Sequence, residues 1–153
     1  MNKQFDIRQP EAQRFMEDWC RTLHESELVQ KVRNRRCTIS DFRDHVERVL
    51  RKRFPVQVEE FDEAMESFMR STNKEHMQAG LVGFARRNQC RVLFMGVTLR
   101  AQFKKSTGAW EMLEVWDDWQ KLLKRKNEVA PNSVGSPILV SDQFVSMVGV
   151  VVV

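Results

Sequence analysis

The sequence predicts a mainly α-helical protein, a compact helical bundle with at most a short strand pair. Apolar residues recur at helical spacing over long stretches, as in Ala12, Phe15/Met16, Trp19/Cys20 and Leu23. Helix-opening residues precede such stretches: Pro10, Ser26, Ser40 and the capping-box pattern Thr72-Asn-Lys-Glu75. The apolar runs whose period is uninformative are short. CRVLFMGVTL (90–99) suits either a buried strand or the middle of a helix, and FVSMVGVVVV (144–153) carries no charge at all.

Each element follows from local chemistry. Pro10 fits a first helical position, and the apolar positions after it predict an amphipathic helix over 10–24. Ser26 caps a short second helix carrying Leu28, Val29 and Val32. Ser40, with Asp41 in the first turn and Ile39 as a staple, opens a third whose Phe42, Val46, Val49 and Leu50 point inward. Phe54-Pro55 ends it, because the residue before proline is disfavoured in the α region. A fourth helix from about Glu59 aligns Phe61, Ala64/Met65 and Phe68/Met69 on one face. Residues 10–70 therefore read as a four-helix unit.

Glu75 closes the capping box that restarts the chain, and Met77, Leu81, Phe84 and Ala85 line the next predicted helix despite Gly80 and Gly83. Ser106-Thr-Gly108 opens a strong helix, with Trp110, Leu113, Val115 or Trp116, Trp119 and Leu122/Leu123 inward. Lys121, Lys124, Arg125 and Lys126 at its end complement the negative pole of the helix dipole. NEVAPNSVGS (127–136) has linker composition. The organisation is thus a helical unit over 1–71, a Trp-rich helical second part over 72–130, and a linker with an apolar C-terminal tail over 131–153.

With 153 residues, 42% hydrophobic and 30% charged, the chain has the composition of an ordinary folded protein able to bury a core. Twenty-five basic against 21 acidic residues leave +4, which favours anionic partners only slightly. The first residues, MNKQFDIRQPEAQ, contain no apolar signal-peptide region, and no stretch reaches the roughly 20 apolar residues of a membrane span. Cys20, Cys37 and Cys90 form no CxxC pair and no disulfide framework, so they read as small buried hydrophobes in a cytoplasmic protein.

The chemistry-bearing residues do not assemble an enzyme motif. Cys20 and His24 stand four apart but lack a third metal ligand nearby, so no metal site is expected. The Lys-Ser-Thr of GVTLRAQFKKSTG has its preceding glycine too far away for a P-loop, and no nucleophile motif is present. Acidic groups such as Glu59, Asp62, Glu63 and Glu66 fall on outer helix faces. The basic residues Arg35, Arg36, Arg51 and Arg53 are the candidate anion contacts, either for nucleic-acid phosphates or for an acidic partner segment. No helix-turn-helix spacing or RNA-binding aromatic signature accompanies them.

FMEDW (15–19), SELVQKV (26–32), ISDFRDHVERVL (39–50) and FPVQVEEFDEAM (54–65) together resemble the Nif-eleven-type leader peptides of ribosomally made, enzyme-modified peptides. The resemblance covers 15–68, a little over a third of the chain. It departs from the family at Arg53, where a glycine usually precedes the aromatic residue, and no Gly-Gly cleavage site follows Phe68. It implies a non-catalytic precursor whose leader-like unit docks on a modifying enzyme. Leu28, Val32, Phe54 and Phe61 are the implied docking residues.

The tail would then be the core substrate: Val145, Met147, Val148, Gly149, Val150, Val151, Val152 and Val153. No cysteine follows Cys90 to form a thioether, so the backbone amides are the remaining handles. Methylating them removes donors whose unpaired burial costs roughly 2–7 kcal/mol. In composition the tail is similar to borosin (omphalotin-type) cores, which implies a backbone N-methyltransferase acting in trans, with S-adenosylmethionine bound to that partner enzyme. Two other readings stay open. The valines are a structural strand, paired for example with 90–99, or they bind another partner; a free apolar strand would invite aggregation. A helical nucleic-acid-binding module using the basic clusters, or a helical adaptor, are the rival functions.

Overall fold

The computed structural model of the chain describes residues 6–28, 36–71, 82–86, 89–95, 97–98 and 108–134. The protein is mainly α. Its helices are α1 (Pro10–Glu25), α2 (Thr38–Arg48), α3 (Val58–Ser71) and α4 (Ala109–Glu128). Two antiparallel strand pairs accompany them. β2 (Val82–Arg86) pairs with β3 (Gln89–Met95), and the two-residue β1 (Arg36–Cys37) pairs with β4 (Val97–Thr98).

The helices begin where the chain has no better use for its free N–H groups. Pro10 at the start of α1 supplies a preset φ and lacks a donor that would otherwise be orphaned. α2 starts earlier than its serine suggests: Cys37 is the N-cap, without a side-chain cap bond. The Ser40 hydroxyl, expected to cap, instead donates to Glu17 on α1 at 2.8 Å. A carboxylate on the neighbouring helix competed successfully for it. α2 ends through the left-handed Arg51 (φ 56°), with the Lys52 N–H returning to the Val46 carbonyl at 3.0 Å.

α1, α2 and α3 close around one core. Phe42, Phe61 and Phe68 are essentially inaccessible, with Phe42 5.3 Å from Phe61 (tilted) and 5.6 Å from Phe68 (edge-on). These are the separations at which ring edges meet ring faces favourably. Ile39, Val46, Val56, Ala64 and Met65 fill the remainder, and α3 also meets β3. Val49, expected inside, is 62% exposed because the helix has already ended there.

Gln13 locks this unit with a two-way bond. Its amide nitrogen donates to the Val56 carbonyl at 2.9 Å and to the Arg8 carbonyl at 3.0 Å, while its oxygen accepts from the Val56 N–H at 2.9 Å. The loop after the cis Phe54-Pro55 bond thereby behaves like a strand edge paired to one side chain. That is how a fully buried glutamine escapes the cost of an unpaired amide.

α4 attaches through a smaller cluster. Trp119 and Leu23 are buried together, flanked by Trp19, Leu28, Val115 and Leu122. The Lys126 ammonium donates to Asp18 at 2.8 Å and lies 5.7 Å from the Trp19 ring centroid. After α4 the chain returns to the start of the fold, where the Asp6 N–H donates to the Ser133 carbonyl at 2.8 Å and Val134 joins the main core. Composition alone marks 131–134 as linker, yet these residues are anchored.

Two further expectations need correcting, and one open choice is decided. The helix predicted across 72–85 does not include 82–86, which is a strand; Gly83 is a poor helix residue, and Val82 and Phe84 favour extended backbone. Of the stretch 90–99, left open between strand and helix, residues 90–95 are extended in β3 and 97–98 in β4, and their ladders are filled by 82–86 and 36–37. Cys20 and Cys37 are buried as expected, but they form a disulfide with a Cα–Cα distance of 6.4 Å, well within the range such bridges span. Their separation of 17 residues matches no motif, and only the antiparallel packing of α1 against the start of α2 brings them together.

Candidate functional site

The structure distributes the implied docking residues over two clusters. Phe54 is half-buried and packs on the main core, whereas Leu28 belongs to the Leu23–Trp119 cluster at the other end of α1. The Leu28 N–H is held by the Ser26 hydroxyl at 3.2 Å, a local turn in place of the expected helix start. Phe61 has no exposed surface, and its ring is turned onto Phe42, so it cannot contact another protein. Its apolar helical spacing fits core better than docking. Val32 and the whole of the expected core substrate, Val145 to Val153, lie outside the described residues.

Of the anion contacts, Arg35 lies outside the described residues and Arg36 belongs to β1. Arg51 and Arg53 are exposed on the connection between α2 and α3, next to Val49. The cations around them are engaged: Lys52 pairs with Glu60 at 2.9 Å and Arg48 with Asp44 at 3.5 Å. A non-glycine residue in the left-handed region carries a steric cost of about 1–2 kcal/mol. Arg51 carries that cost, since its φ is 56°.

One arrangement escaped the sequence reading. His45 is buried on α2 between two hydroxyls of α3. Its Nε2 lies 3.0 Å from Ser67 Oγ and its Nδ1 lies 3.2 Å from Ser71 Oγ. The Ser71 hydroxyl donates to the Phe68 carbonyl at 2.8 Å, so its oxygen accepts from Nδ1–H, and the bare Nε2 accepts from Ser67. Burial pushes the imidazole below its usual pKa, favouring this neutral tautomer.

A serine bonded to an oriented histidine resembles a nucleophile pair. Ser67, however, sits inside α3, where backbone N–H groups are consumed by the helix and none is left to hold an oxyanion. The arrangement ties α2 to α3. The i, i+4 spacing of Ser67 and Ser71 was visible in the sequence, but their partner lies 22 residues upstream of Ser67.

Charged pairs set the remaining contacts. Glu17 of α1 accepts from both Ser40 and Arg43 of α2, and Arg43 also bonds Asp44. The hydrogen bond from Lys126, followed by that from Arg21, holds the Asp18 carboxyl below the usual carboxylate range. Among the described residues no three His, Cys, Asp or Glu side chains converge as metal ligands, and Cys20 is bridged to Cys37 instead of facing His24 as a ligand. No helix among them is long and apolar enough to cross a membrane.

The tryptophans divide. Trp119 is buried and Trp116 half-buried, but Trp110 is 82% exposed and Leu113 is 45% exposed, contrary to the inward placement expected for both. At roughly 100° per residue, nine positions place Trp110 on the face opposite Trp119. No known protein family, curated protein or solved structure matches the chain.

Proposed function

We propose that the chain is a non-catalytic precursor polypeptide: its leader-like helical unit docks on a modifying enzyme, and the Val-rich segment 145–153 is the substrate of that enzyme. The observation that supports this reading is the integrity of the unit. FMEDW, ISDFRDHVERVL and FPVQVEEFDEAM all contribute to one core that draws nearly all its buried side chains from 7–69. A preformed surface of this kind loses little conformational entropy when an enzyme reads it. Leu28 and Phe54, both only partly buried, are its accessible contacts; Phe61 belongs to the core on which Phe54 packs.

The partner's chemistry is backbone N-methylation with S-adenosylmethionine held by the enzyme. Cytoplasmic modification is compatible with the Cys20–Cys37 bridge because both cysteines are at most 5% exposed, which limits attack by small thiols. Co-expression with an adjacent-gene methyltransferase tests the proposal by intact mass and fragmentation. The expected result is a series of methyl-for-hydrogen increments confined to 145–153, diminished by Leu28→Ala or Phe54→Ala. An unmodified chain, together with a large drop in melting temperature on deleting 144–153, overturns it in favour of a structural strand.

The exposed Arg51 and Arg53 favour a second reading, contact with a polyanion such as nucleic acid. Binding that weakens steeply with salt and is lost in Arg51→Glu/Arg53→Glu would select it.

A further inference from the structure

The outer face of α4 segregates its charges along the helix. Glu111, Glu114, Asp117 and Asp118 occupy the N-terminal half, and Lys121, Lys124, Arg125 and Lys126 the C-terminal half, with Glu128 as an acidic last residue. All but Lys126 are exposed. The same surface carries three of the four exposed large apolar groups of the described residues, Trp110 (82%) and Leu113 (45%) at one end and Val129 (69%) just beyond the other. Lys126 is engaged with α1, so α4 is fastened to the fold by its opposite side.

We propose that this face is a dimer interface for a second copy of the chain, with the two α4 helices antiparallel about a two-fold axis between Trp119 and Gln120. Such an axis sets Glu114 opposite the second copy's Arg125, Asp118 opposite its Lys121, and Trp110 opposite its Val129; the like pair Glu111 and Glu128 falls at the two ends of the contact. An isologous contact requires a self-complementary patch, and the charge order over 114–125 is complementary to itself only when reversed. Glu114 and Arg125 lie about three turns apart on the same flank of the helix, where antiparallel packing brings them together. Leu113 and Lys124 repeat that relation on the other flank, so the Lys124 stem covers the leucine. The helix dipoles also oppose each other in this arrangement.

Within one copy, Lys121 already bridges Asp117 (2.8 Å) and Asp118 (3.3 Å), and in the dimer it is shared with the second copy's Asp118. Two helices about 30 Å long make a small interface, so association belongs in the micromolar range.

Sedimentation velocity of the full chain over a wide concentration range tests this. The expected result is a reversible monomer–dimer equilibrium. Trp110→Ala and, separately, Leu113→Ser weaken it about tenfold or more, in keeping with the apolar area each would bury. Both residues are exposed, so circular dichroism of either variant stays unchanged. Glu114→Lys weakens the dimer about tenfold by placing like charges opposite each other. Adding Arg125→Glu to the same chain restores it. A monomer at every concentration overturns the proposal, as does a dimer indifferent to Trp110→Ala and Leu113→Ser, or one that the double charge exchange fails to restore.

Discussion

α1–α3 and α4 are both amphipathic helical segments, yet they are held in different ways. In α1–α3 three phenylalanine rings meet edge to face, a glutamine clamps the α2–α3 connection, and a disulfide joins the first two helices. α4 rests on α1 through the Leu23–Trp119 pair with its flanking side chains, and through one lysine that meets a carboxylate and an indole face. A wide apolar stripe shared by three helices makes each ring a neighbour of several others. A narrower stripe leaves two of the helix's large apolar groups outside, Trp110 and Leu113. The first region is a core shared by three helices, and the second an element docked on it.

Phe42→Ala should break the first region outright, removing about 3–5 kcal/mol and leaving the whole chain unfolded or close to it by thermal melting. Trp119→Ala is the contrasting variant. It should raise hydrogen exchange through α4 while α1–α3 keeps its protection; uniform loss of protection would mean that the two regions are one cooperative unit.

Next in size is the bridge, which closes a loop whose ends are 17 residues apart. Cys20→Ser/Cys37→Ser should cost about 3 kcal/mol by the chain-entropy argument, read from denaturant midpoints. Non-reducing peptide mass mapping checks the linkage itself. Gln13→Ala follows at about 2 kcal/mol, because it leaves the buried Val56 N–H and carbonyl without partners.

His45 adds a pH dependence to α1–α3 alone. Its folded-state pKa is depressed by burial, so the unfolded chain binds the proton more readily. The stability present above the unfolded histidine value, about 6.5, is lost as pH falls from there through the folded value. His45→Gln should flatten that part of the stability–pH curve. The smallest effect belongs to the docked helix: Lys126→Ala should cost about 0.5–1 kcal/mol, since Asp18 is 44% exposed and water screens the pair. A double-mutant cycle with Asp18→Ala measures it.

What was legible in the sequence had a local cause. α1 begins at Pro10, α3 carries Phe61, Ala64, Met65 and Phe68 on its buried face, and α4 starts after Gly108. Errors arose where a distant group entered. Ser40 serves Glu17 rather than its own helix end, 82–86 pairs with 89–95, and Phe61 is core rather than contact. At the end of α2 the left-handed residue is Arg51, two positions before the Arg53 that stands where the leader family has its glycine. Spacing cannot say which residue of a turn will take the positive φ.

By itself the chain determined its helical character, the positions of its main apolar stripes and the segregation of charge along 111–126, because hydrophobic period and side-chain charge are properties of neighbouring residues. Only the tertiary structure decided that Cys20 meets Cys37, that Gln13 pairs with Val56, that His45 sits between two serines and that Trp110 faces outward. Each of those depends on residues far apart in the chain arriving within a few ångströms, a distance that no local pattern encodes.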